Sequence, residues 1–96
     1  MLPPLKTLPA FIAVANHLSF SKAANQLHVT HSAISQSIRS LETYLGHQLF
    51  ERTSNKVTLN AHGKKYYASI NTALQVINEA TKQQLSLEQD NVLTIK

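Results

Sequence analysis

Ser32, Gln36, Arg39 and Thr43 are spaced four, three and four residues apart, which at about 100° per residue gathers them on one side of a helix. Ser35 and Ser40 flank that side. A glutamine amide there can pair bidentately with adenine, the hydroxyls can donate or accept, and the guanidinium can meet a phosphate or a guanine edge. Ile34, Ile38, Leu41 and Leu45 fall on the opposite side as a narrow apolar stripe, so the outer face is presented to whatever lies beyond the core. A polar helix face taken alone is ordinarily just solvated, and its neighbours must decide between the two uses.

Other chemistries lack their parts. Five histidines are present, and His28 and His31 stand three apart, but no third ligand follows at metal-site spacing. The absence of Cys removes thiolate sites and a thiol nucleophile. Asp90 is the sole aspartate and no glycine-framed nucleophile elbow surrounds any serine, so no Ser-His-Asp triad is assembled. No catalytic residue, metal site or cofactor is expected, and the chain does not read as an enzyme.

The elements that would position the polar face can be read from caps and periodicity. Leu8, Phe11, Ile12, Ala15 and Leu18 recur at helical spacing and predict a first helix over about residues 7–16, with Pro9 confined to its first turn. Ser19 caps a short second helix running to Leu27, with Ala23, Ala24 and Leu27 inward. After the connection His28-Val29-Thr30, Thr30 caps a third helix over about 32–45, which Gly46 ends in a left-handed conformation. Residues 49–52 and 56–59 read as two short strands joined by Thr53-Ser54-Asn55. Asn60 then caps a long helix with the stripe Tyr66, Tyr67, Ile70, Leu74 and Ile77, ending near Leu85 or Leu87. A polar break at 88–90 precedes a strand-like alternation over 91–96.

A short helix, a three-residue turn and a longer helix with one apolar face form a helix-turn-helix, in which the second helix enters the major groove. The hairpin after it, with Arg52 and Lys56 at its base and Asn55 at its tip, adds a basic wing that can hold the DNA backbone. The fold class is therefore mainly α: a winged helix-turn-helix of three helices and a two-stranded wing, followed by a long linker helix. Charge agrees. Of 96 residues with a net charge of +4, the first 65 hold seven Lys and Arg against Glu42 and Glu51, an asymmetry suited to a polyanion. The start Met1-Leu2-Pro3-Pro4 lacks the pattern of a secretory signal, and no apolar run reaches the roughly 20 residues of a bilayer span. No membrane association and a cytoplasmic location are expected.

At residues 20–52, Phe20-Ser21-Lys22-Ala23-Ala24-Asn25-Gln26-Leu27, Ala33-Ile34-Ser35-Gln36-Ser37-Ile38-Arg39-Ser40-Leu41-Glu42 and Leu45-Gly46-His47-Gln48-Leu49-Phe50-Glu51-Arg52 together resemble the LysR-type transcriptional regulators. Leu59-Asn60-Ala61-His62-Gly63 is similar to the family's LT-x-x-G entry into the linker helix, and the likeness covers about residues 3–87. The opening Leu2-Pro3-Pro4-Leu5 with His17-Leu18-Ser19-Phe20 is most similar to the branch containing the glycine-cleavage activator and the β-lactamase regulator. The resemblance implies sequence-specific binding of duplex DNA at an interrupted palindromic operator by a homodimer. It assigns base contacts to His31, Ser32, Ser35 and Gln36 and backbone or wing contacts to Arg39, Arg52 and Lys56. Ser21, Lys22 and Asn55 complete the expected DNA-facing set, and Tyr66, Ile70, Ala73, Leu74 and Ile77 the dimer contact.

It further implies residues 1–59 as the DNA-binding domain, 60–87 as the linker and dimerisation helix, and 88–96 as a tail. That tail resembles the first strand of an effector domain that is not in the chain and through which alone a small molecule would act. Two positions depart from the family pattern: His31 stands where many members have Gln, and Pro9 falls where the first helix is usually uninterrupted. The competing expectation is a helical protein-interaction module, built on the long amphipathic helix, that does not bind DNA.

Overall fold

The computed structural model describes residues 1–95, with side chains described as far as Leu87. A 3-10 turn, Leu5–Thr7, leads into α1 (Leu8–His17), α2 (Phe20–Leu27) and α3 (His31–Leu45). A hairpin of β1 (Phe50–Arg52) and β2 (Val57–Leu59) follows, and then α4 (Ala61–Ile95). Pro9 sits in the first turn of α1, where its missing amide hydrogen costs nothing. Ser19 Oγ accepts from the Lys22 amide at 3.1 Å and Thr30 Oγ1 from the Ala33 amide at 3.0 Å, so both caps form as their sequence positions predict.

All three short helices end in left-handed residues: Leu18 (φ 51°), His28 (φ 58°) and Gly46 (φ 87°). Glycine supplies that conformation freely only at the third. At Leu18 and His28 packing must offset roughly 1–2 kcal/mol each. These turns fold α1, α2 and α3 around a core in which Phe11, Val14, Ile38, Leu41 and Leu49 are fully buried. Phe11 is its centre, with the rings of Phe50, Tyr66 and Tyr67 at 5.6, 5.5 and 6.4 Å. Leu27 and Leu45, expected inside, are half-buried and pack on the edge of this cluster.

The wing is antiparallel, with Phe50 opposite Leu59 and Arg52 opposite Val57, and its tip is closed by the Thr53 amide donating to the Lys56 carbonyl at 2.9 Å. Lys56 therefore belongs to the tip turn, one residue beyond the paired strand, where the sequence placed it at the base. Asn60 joins wing and linker. Its amide donates to the Leu49 carbonyl at 3.0 Å and its Nδ2 to the Gln48 carbonyl at 2.9 Å, while its Oδ1 caps α4 through the Gly63 amide at 2.8 Å.

One expectation about α4 needs correction, and another is divided by burial. The helix continues through Ile95, where a polar break at 88–90 and a strand over 91–96 were expected; Lys96 lies outside the described residues. A strand satisfies its backbone only beside a partner strand, whereas a helix does so internally. The expected dimer stripe also divides. Tyr66 and Ile70 pack against the chain's own core, and burial, reinforced by neighbouring Tyr44, holds the Tyr66 phenol above its ordinary value of 10.0. Leu74 is half-buried, whereas Ala73 and Ile77 are exposed. With Val76, 62% exposed, Ile77, 59% exposed, and Ala80 between them and Leu87, the apolar face left open is rotated from the expected one. No helix among the described residues is long and apolar enough to cross a membrane.

Candidate nucleic-acid interface

The tertiary fold splits the polar side of α3 into two surfaces. Ser32, Gln36, Arg39 and Thr43 form an exposed ridge, as their spacing predicts. His31, Ser35 and Glu42 lie about 60–100° around the helix from that ridge and turn toward the wing.

Between this flank and the wing is an open cleft of about 570 Å³, lined by Ser21, His31, Ser35, Arg52, Asn55 and Lys56 among others. Six of the ten residues assigned to DNA are thus brought to one concavity, built from the starts of α2 and α3 and from the hairpin. Ser32 and Gln36 stand beside it on the ridge. Lys22 is exposed in the first turn of α2, and Arg39 lines a second hollow of about 300 Å³ with Ser35, Glu42, Gln48, Phe50 and Arg52. Ridge, cleft and wing tip carry Arg39 and Lys56 with hydroxyl and amide groups between them, which suits a phosphate-flanked groove.

Two residues that shape this surface escape the sequence reading. Glu42 carries its carboxylate, 13% exposed, to the start of the wing, where Oε2 accepts from the Leu49 amide at 2.8 Å and the Phe50 amide at 3.4 Å. Its other oxygen lies 3.8 Å from the Arg52 guanidinium. The only advance signal was angular: Glu42 shares the helix flank of His31 and Ser35. Phe20 is the second. Its ring, 8% exposed, lies 4.7 Å beneath the Arg52 guanidinium and stacks on the His31 ring at 5.7 Å and 29°. In the sequence it stood out only as part of the family motif, and nothing there showed that a ring buried in the core also contacts two DNA-facing candidates.

The histidines do not gather as ligands. His28 is the left-handed residue ending α2, His31 lies on Phe20, and His47 stacks on His62 at 4.1 Å. Among the described residues no group of three or more His, Cys, Asp or Glu could hold a metal ion.

Comparisons with known proteins give a consistent picture. Residues 5–64 match the family model described as "Bacterial regulatory helix-turn-helix protein, lysR family". A glycine cleavage system transcriptional activator homolog from Haemophilus influenzae is 45% identical over 94 residues, 98% of this chain and 31% of that protein. The transcriptional activator AmpR of Citrobacter freundii is 50% identical over 68 residues, 71% of this chain and 23% of its own. The chain thus spans under a third of the length of these curated relatives. Among solved structures, a BenM DBD/benA site 1 DNA complex superimposes with a TM-score of 0.81 at 31% identity, covering 86% of this chain and 93% of that one.

Proposed function

Because the chain belongs to the LysR family of bacterial regulatory helix-turn-helix proteins, we propose that it binds duplex DNA sequence-specifically as part of a transcription regulator. Major-groove readout comes from α3 and backbone contact from the wing. The observation that carries this reading is the continuous surface in which the exposed Ser32–Gln36–Arg39 ridge adjoins a cleft and a wing tip bearing Lys56. The solved complex of a similar domain with DNA supports it. His31, Ser32, Ser35 and Gln36 face bases; Ser21, Lys22, Arg39, Asn55 and Lys56 hold the backbone. The chain acts without catalysis, in the cytoplasm, and the full regulator responds to a small molecule through residues beyond this segment, as expected of an effector domain.

The functional unit is a homodimer joined along α4. The helix rises about 1.5 Å per residue, so its 35 residues form a rod longer than the wing and short helices cover. The apolar face at Ala73, Val76, Ile77 and Ala80 is open in the single chain. A two-fold axis along that face buries it and sets two recognition helices on half-sites about 34–36 Å apart or a multiple of that.

A test is selection of bound sequences from random duplex DNA, followed by titration of the winner. An interrupted palindrome is expected; no enrichment over random DNA would reject the reading. Gln36→Ala should then reduce discrimination at one position in each half-site by roughly 1–3 kcal/mol, while Lys56→Ala should weaken all duplexes alike. Equal effects of both substitutions on every sequence would remove the assigned roles. Salt gives an independent check. With about four to eight phosphates neutralised per dimer, log K should fall against log salt with a slope of about −4 to −7, and a flat dependence would contradict the backbone contacts.

A further inference from the structure

Arg52 was assigned to the DNA backbone from its place on a basic wing, but its surroundings give it a different task. Its guanidinium is paired with Glu42 at 3.8 Å and lies 4.7 Å above the face of Phe20. The Phe20 ring in turn stacks on the imidazole of His31 at 5.7 Å. These contacts form a chain, Arg52–Phe20–His31, that runs from β1 through the start of α2 to the first residue of α3. A guanidinium held over a ring face and beside a carboxylate is restricted in its plane even where, as at Arg52, the side chain is 46% exposed. His31 has few other restraints: its Nδ1 is 3.5 Å from Ser35 Oγ, at the limit of a hydrogen bond, and its ring borders an open cleft.

We propose that Arg52 is a positioning residue for base recognition, which fixes the His31 imidazole through Phe20 rather than serving as a phosphate contact. Aromatic stacking restricts a ring to one plane with little entropy left to lose on binding. A side chain at the start of a recognition helix discriminates between bases only if its donor and acceptor directions are already set. Glu42 holds the other end, because the carboxylate that pairs with Arg52 also accepts from two consecutive amides at the wing's start. The wing thereby fixes an α3 side chain as well as touching DNA itself. This proposal rests on the DNA-binding reading, but its first measurement does not.

That measurement is the proton NMR spectrum of His31 in the free protein. Ring current from Phe20 should displace the imidazole resonances, and Arg52→Gln, like Phe20→Leu, should move them toward values for an unstacked histidine while the remaining spectrum stays folded. Unmoved His31 resonances in Arg52→Gln would overturn the proposal whether or not the chain binds DNA.

The second measurement is binding to the selected operator and to variants at each position. Arg52→Gln should lower discrimination about five- to tenfold at the position read by His31, with the salt slope unchanged. His31→Ala should show the same loss, and the double substitution no more than either alone, since both act through one ring. Phosphate contact gives the opposite pattern: a shallower slope by about one unit per half-site, all duplexes weakened alike, and effects additive with His31→Ala. A purely structural role would lower thermal stability and weaken every duplex equally, and that outcome also refutes the proposal. Arg52→Lys keeps the charge but loses the planar face, and should behave like Arg52→Gln in discrimination.

Discussion

Lysine at both Val76 and Ile77 should convert the protein into a folded monomer that binds its operator roughly 10²–10⁴-fold more weakly. Both side chains are more than half exposed in the single chain, 62% and 59%, so lysine there removes little that α1–α3 and the wing depend on. In the proposed dimer the same positions meet their copies across a two-fold axis, and four added charges would face one another in an apolar seam. Leu74, although on the expected stripe, is half-buried, so its replacement would mix loss of fold with loss of assembly. The weakening comes from linkage. Two tethered recognition helices bind the second half-site at an effective concentration that a free monomer cannot reach. Sedimentation at micromolar concentration and a titration of palindromic DNA check it together. A doubly substituted dimer, or a monomer with full operator affinity, would show that α4 is not the contact.

Gly63→Ala should be strongly destabilising, costing about 3 kcal/mol or more. A Cβ at this position would overlap the carbonyl oxygen of Leu49 and come within 2.9 Å of Leu59 Cδ2. Backbone cannot rotate aside as a flexible side chain can. The same carbonyl accepts from the Asn60 amide, and Asn60 Oδ1 caps α4 through the Gly63 amide, so the displacement would loosen both the cap and the seat of the wing. For a chain of this size the melting temperature should fall by more than about 12 °C. Gly46→Ala is the control. Its left-handed φ of 87° opposes a side chain, but a Cβ there meets nothing within 4 Å, so it should cost only about 1–2 kcal/mol. Thermal unfolding of the two variants side by side decides it, and equal losses would mean that close approach at Gly63 matters no more than backbone conformation at Gly46.

The linear chain determined what depends on local chemistry. Ser19, Thr30 and Asn60 offer capping oxygens, and Gly46 accepts a left-handed turn. The intervals of Ile34, Ile38 and Leu41 fix which side of α3 is buried and hence that Ser32, Gln36 and Arg39 face outward. Each of these is a matter of a few neighbouring residues and a helical angle, so the helix-turn-helix, the wing and half of the site were legible without the fold. What depends on residues distant in sequence was not. Arg52 lies 32 residues from Phe20, and nothing in their intervals shows that a guanidinium and the His31 imidazole both contact one phenyl ring. Tyr66 and Ile70 were indistinguishable from Ile77 by periodicity, yet only the first two meet Phe11 and its neighbours, because the short helices cover only the first turns of α4. At residues 91–95 an alternating pattern gave way to helix. Periodicity states which side chains share a face, but tertiary packing supplies the surface that the face meets; a strand needs a neighbouring strand for its backbone hydrogen bonds, whereas a helix satisfies its own.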